Sequence, residues 1–133
     1  MNKKIYKKDC KYGFNCEDTL FRKIREKYGE DVKKTTRYAT FDYENEKTQL
    51  ELKNRRCKYT TYPSMMIGIN KLKKAEDTKD IKKSIFLFNF IDGLYYWEYD
   101  KDQYYTAYGG RKDRGIDERR TTAFIPIEHL QSF

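Results

Sequence analysis

The sequence predicts an α+β domain in which a mixed β-sheet is flanked by helices. Three observations predict it. Leu20, Phe21, Ile24 and Tyr28 recur at helical spacing, period-two alternation follows in several short runs, and a second helix-like stretch interrupts those runs. The first helix begins near Asn15, where Asn15 and Asp18 have the spacing of a capping box, and ends at Gly29. Two alternating runs follow, 36–43 and 47–53, joined by a short turn at Asn45-Glu46. Ser64 can cap a helix over 65–76, with Met65, Ile69 and Leu72 as its core face and Lys71, Lys73 and Lys74 as its wet face. Ile85 to Ile91 is the most apolar run and reads as a central buried strand. Asp92-Gly93 turns the chain, and 94–99 returns beside it. Further strands are predicted at 103–108 and 121–127, where Pro126 suggests an edge or a strand end.

Composition bounds the function. The chain has 133 residues, 38% of them hydrophobic and 38% charged, yet 17% are aromatic, with 13 Tyr and 8 Phe. Burial concentrated in large rings argues against disorder. This length suits one domain, 1–133, that folds without disulfides or a structural metal. Residues 1–13 read as a basic tail. No run approaches the ~20 apolar residues of a membrane span, and the charged start lacks the apolar core of a secretory signal. A soluble, intracellular protein of cytoplasm or nucleus is expected, with no membrane partner. Cys10, Cys16 and Cys57 form no C-x-x-C pair and His129 is the only histidine, which excludes a zinc site and argues against a His-based nucleophile pair. A net charge of +8 favours a polyanionic partner, DNA above all with RNA left open, although an AT-rich genome, which favours Lys, Asn, Ile and Tyr, would give the same bias.

One constellation carries chemistry. If the 36–43 and 47–53 runs pair across a tight turn, Asp42 opposes Gln49, Thr40 opposes Glu51 and Tyr38 opposes Lys53. Asp42, Thr40, Gln49, Glu51 and Lys53 then share one face, and Ala39, Phe41, Tyr43, Leu50 and Leu52 form the core face. Asp42 and Glu51 become diagonal neighbours, ~7–8 Å apart at the backbone, close enough to share a cation. Oxygen-only ligation with open positions suits Mg²⁺, and Lys53 on the same face can orient a water or offset charge on a phosphate. The ordinary alternative is a solvated strand face with a cross-strand charge pair.

At these residues the chain resembles the PD-(D/E)xK phosphodiesterase superfamily of restriction-endonuclease-like nucleases. Asp42 and Glu51-Leu52-Lys53 match its pattern, with Phe41 where a Pro often stands. The resemblance covers roughly 15–91 as an αβββαβ core and leaves 92–133 as β-rich elaboration. It implies a metal-dependent endonuclease acting on DNA. Asp42, Glu51 and the Leu52 carbonyl would bind Mg²⁺, with Mn²⁺ able to substitute, and Lys53 would assist the water. It also assigns Glu17, on the apolar side of the first helix, as a further catalytic acid; on its own terms Glu17 can equally complement the helix dipole. Nucleases of this size often act as homodimers.

Two basic segments are candidates for nucleic-acid binding. Arg55, Arg56 and Lys58 follow the proposed metal strand, and Arg111, Lys112 and Arg114 lie in a glycine-rich loop. Each can equally be a solvated turn. The tyrosines at 95, 96, 99, 104, 105 and 108 could stack bases, but alternation on hairpin strands favours a core role. The competing function class is a non-catalytic, basic nucleic-acid-binding module, and a weaker third is a structural protein whose charge reflects genome composition.

Overall fold

The computed structural model describes residues 17–109 and 120–133. Its elements are α1 (Glu17–Tyr28), β1 (Lys33–Lys34), β2 (Tyr43–Glu44), β3 (Thr48–Asn54), β4 (Ser64–Ile67), α2 (Ile69–Asp77), β5 (Lys83–Phe90), β6 (Gly93–Glu98), β7 (Tyr105–Gly109), β8 (Arg120–Pro126) and β9 (Gln131–Ser132). A 3₁₀ turn, Ile127–His129, precedes β9. Six strands form one sheet in the order β1-β2-β3-β5-β6-β9, and β4, β8 and β7 form a second. Only β3 and β5 run parallel; every other pair is antiparallel. The class is α+β with a mixed sheet and flanking helices, as the sequence predicts. No helix among the described residues is long and apolar enough to cross a membrane.

β5 organises the interior. Ser84 through Phe90 are all buried, as expected of a strand covered on both faces. Ile85 and Leu87 face α1, where they meet Leu20, Ile24, Val32, Tyr43 and Leu50. Phe86, Phe88 and Phe90 face the other way, against Leu72 and Ala75 of α2 and Met65, Ile67, Ala123 and Ile125 of the second sheet. The helical spacing of α1 thus serves one core, and Gly29, at φ +127°, ends that helix where a side chain would be strained.

Three local expectations are corrected. First, 36–43 is not a strand, and only Tyr43–Glu44 pairs with β3. The segment before it curls into a loop, closed by Thr35 N–H to Asp42 O (2.9 Å) and by the Thr35 hydroxyl to Phe41 O. Its alternation has nothing to cover, and Tyr38 is 87% exposed. Phe41 consequently joins the α2-side core, its ring 5.6 Å from Phe86, rather than the Tyr43–Leu50 face. The register also shifts. Tyr43 opposes Leu50 and Glu44 opposes Gln49, because Asn45 Oδ1 accepts from Lys47 N–H and Thr48 N–H and the two-residue turn moves one position on, to Glu46-Lys47.

Second, the segment 65–76 divides. Met65 and Ile67 are buried with Met66 exposed between them, so this stretch is β4, paired to β8. Ser64 opens that strand instead of capping a helix. Gly68 is extended, and α2 starts at Ile69, which is exposed and not a core residue. Met65 has Ile69 and Leu72 at helical spacing and Ile67 at strand spacing, so both periods fit locally; the partner β8, distant in sequence, decides it. Third, the β5–β6 turn is Ile91-Asp92, with Gly93 already paired to Phe90. Pro126 does mark a strand end, that of β8, which is the middle strand of its sheet.

Trp97, the only tryptophan, is buried 5.4 Å from the Phe86 ring. Phe86→Ala is expected to lower stability by about 3–5 kcal/mol, measured by urea unfolding followed through Trp97 fluorescence. A loss below ~1 kcal/mol would show that β5 does not centre this core.

Candidate active site

Because side chains alternate along β3, Gln49, Glu51 and Lys53 point to the α2 side while Leu50 and Leu52 point to α1. Glu51 is buried there, its side chain 7% exposed. Lys71, in the first turn of α2, brings its ammonium 2.8 Å from Glu51 Oε2. Lys53 Nζ lies 4.0 Å from Oε1. Lys71 also donates to the Thr40 carbonyl, in the loop that leads to Asp42. One step back along β3, Gln49 Nε2 donates to Thr78 Oγ1 (2.7 Å), just past the end of α2, and to Ser84 Oγ (2.8 Å).

Asp42 reaches the same place from the sheet edge. Its N–H donates to Leu50 O (2.9 Å), and its Oδ2 accepts from Leu52 N–H (2.9 Å). The β2–β3 ladder stops at Tyr43, so Asp42 takes the next position with a side-chain oxygen. A residue's N–H and C=O point to the same side of a strand. The Leu52 carbonyl therefore faces this open edge too. The edge borders a cleft of about 590 Å³ whose lining includes Leu20, Lys34, Arg37, Asp42, Leu52 and Asn54.

Burial pushes the Glu51 carboxyl above the usual carboxylate range; Lys71 opposes the shift, Asp42 adds to it, and Lys53 opposes it. Two carboxylates and two ammonium groups thus form one cluster, with Glu51 at its dry end and Asp42 exposed.

The structure brings Asp42, Glu51, Leu52 and Lys53 together, although through a loop and a register two residues from the expected one. An even shift preserves which face each residue of β3 occupies. Glu17 opens α1, and Leu20, three residues on, lines the cleft; the Glu17 side chain lies outside the described residues. Arg55 is half-buried, its N–H donating to Asn89 O, and Arg56 and Lys58 are exposed just beyond β3. Arg111, Lys112 and Arg114 lie outside the described residues. Most of the described tyrosines pack internally: Tyr95 stacks on Tyr59 at 4.2 Å, and Tyr99 donates to Glu76 Oε2 at 2.6 Å. Sequence reasoning missed Lys71, assigning it to the wet face of α2. The signal it lacked was the orientation of that helix over β3.

Comparison with family models gives a match over residues 8–131, to the family described as "Phage putative PDDEXK endonuclease". The chain belongs to this family. The match covers nearly all of the sequence and includes every residue of the cluster. No curated protein and no solved structure matches the chain.

For a member of this endonuclease family, the donors present suit a hard divalent cation. Two carboxylates and a backbone carbonyl supply oxygen only, and the inner Glu51 oxygen already draws a cationic group to 2.8 Å. Among the described residues, no group of three or more His, Cys, Asp or Glu could hold a metal ion, so the Leu52 carbonyl and solvent would complete any such site.

The raised Glu51 pKa has a signed consequence for stability. The unfolded chain releases this proton at lower pH than the folded protein, so ionisation of Glu51 opposes folding. Its contribution is most favourable below the unfolded carboxylate pKa and declines as pH rises through the folded value. The stability of wild type relative to Glu51→Gln, without added metal, is therefore expected to fall as pH rises from 4 to 8, followed by melting temperature. A difference that is constant across that range would refute the shift.

Proposed function

We propose that this chain is a Mg²⁺-dependent endonuclease that hydrolyses DNA phosphodiester bonds at the Asp42–Glu51–Lys53 cluster. One observation supports this reading above others: Asp42 and the Leu52 backbone meet at one open sheet edge beside a cleft, with the Glu51–Lys53 pair next to them on the α2 face of β3, in a chain of an endonuclease family. Asp42, Glu51 and the Leu52 carbonyl would hold the ion, Mg²⁺ or Mn²⁺. When bound, such an ion makes hydroxide available near neutral pH and neutralises charge developing on phosphate. The chain's own groups do the rest. Lys53, beside Glu51 and partly exposed, orients the attacking water and offsets phosphate charge. Arg55, Arg56 and Lys58 hold flanking phosphates and fix the strand against the cleft. Glu17 would present a further acid from α1, and Arg111, Lys112 and Arg114 would add backbone contacts.

A second reading has an observation in its favour. The Glu51 carboxylate is paired with Lys71 and Lys53, as a non-catalytic binding module would also require. The two readings separate on plasmid DNA. The nuclease nicks or linearises it with Mg²⁺ and stops with EDTA. Asp42→Ala and Lys53→Ala are each expected to reduce the rate by at least about 10²–10³-fold while leaving the fold intact. Cleavage unchanged in both variants, or the same with EDTA, would remove the assignment, and single-stranded DNA and RNA in the same assay would set the substrate class.

Binding in EDTA should weaken steeply with salt. Arg56→Ala with Lys58→Ala is expected to flatten the log–log slope by about 1 for each phosphate no longer neutralised. An unchanged slope would take these two residues out of the interface.

A further inference from the structure

Glu51 is held between two lysines, and the two are not equivalent. Lys71 meets Oε2, an oxygen sealed from solvent, whereas Lys53 meets Oε1 at the longer distance of 4.0 Å. An ammonium carries three N–H donors. Lys71 uses them toward two different segments, Glu51 on β3 and the Thr40 carbonyl in the loop that carries Asp42. Thr40 stands two residues before Asp42, so this one side chain ties together the two segments that supply the carboxylates. Its own base is firm. Lys71 N–H donates to Gly68 O at the start of α2, and Leu72 and Ala75 anchor the helix in the core. At the other end of α2, the Thr78–Gln49 hydrogen bond straps the helix to the same strand.

We propose that Lys71 is a positioning residue of the candidate site: by gripping the inner oxygen of Glu51 and the backbone at Thr40, it presents Glu51 Oε1 and the Asp42 carboxylate to one divalent cation. Lys53 is then the ammonium left to serve the substrate. The assignment rests on the metal-dependent reading above. It divides between two residues the work that the Glu-x-Lys motif alone would give to Lys53. Partners that orient a metal ligand from behind commonly change ion affinity 10–100-fold when removed.

The test uses the full chain and Mn²⁺ alone, without DNA, by titration calorimetry, with melting temperatures recorded in EDTA. Lys71→Met, which keeps the length of the side chain and removes its charge, is expected to weaken Mn²⁺ binding about 10–100-fold. Lys71→Arg is expected to recover most of that loss. Lys53→Met is expected to change Mn²⁺ affinity less than Lys71→Met while losing cleavage, a split that a purely structural Lys71 would not produce. If Lys71→Met does not fold, Lys71→Gln, which keeps a donor for Thr40 O, carries the same test. Mn²⁺ affinity equal to or tighter than wild type in the folded variant overturns the proposal. The outcomes also separate the two ideas. Weakened binding in Asp42→Asn but not in Lys71→Met refutes the role of Lys71 alone, whereas wild type and Asp42→Asn that both bind no Mn²⁺ refute the metal-dependent reading and this assignment with it.

Discussion

A carboxylate closed off between a sheet and a helix must either take up a proton or have positive charge brought to it, since water can no longer solvate it. Glu51 is in that position, and much of the arrangement around it follows. α2 must lie so that Lys71 reaches the inner oxygen, and the Gln49–Thr78 strap holds the helix over β3 in the same sense. The Asp42 loop must come close enough for its Thr40 carbonyl to share the same ammonium. Asp42 then adds negative charge beside Glu51, which raises the demand for a cation.

The edge of β3 is the second constraint. β2 is only two residues long, so the ladder ends while β3 continues to Asn54. Where a longer strand would supply a backbone acceptor for Leu52 N–H, the Asp42 side chain supplies a carboxylate oxygen instead. The neighbouring Leu52 carbonyl gains no ladder partner from β2. A strand that stops early thus turns ordinary backbone groups into polar groups available to a ligand, at the point where the Asp42 carboxylate arrives.

What the sequence made legible follows from what depends on short range. The period of α1, the apolar run of β5 and the alternation of β3 are each decided within a few residues, and each matches the structure. So does the placing of Glu51 and Lys53 on one face, because alternation along β3 fixes it whatever the partner strand does. The pairing opposite them was less legible. The Asn45 side chain moves the turn by one position, and the resulting slip of two residues carries Asp42 away from Gln49 to the level of Leu50 and Leu52, whose backbones it hydrogen-bonds. The 64–77 segment differs for another reason. Met65 and Ile67 become a strand because β8, far along the chain, offers a ladder. Lys71 could not be found from its own helix, where polar spacing marks it as exposed; only the docking of α2 on β3 turns it inward.

The aromatic composition and the candidate site turn out to be one feature. The core on the α2 side sets the rings of Phe41, Phe86, Phe88, Phe90 and Trp97 among aliphatic side chains, and Phe86 is the parallel register partner of Glu51 while Phe88 is that of Lys53. Phe41, drawn in by the loop before Asp42, closes against Phe86. These rings keep water from the inner side of Glu51, and burial is the largest cause of its raised pKa. The side chains that stabilise the sheet therefore also create the unfavourable charge at its edge. A fold can tolerate such a charge when the surrounding core is strong, and the seven consecutive buried residues of β5 supply that strength directly beside it.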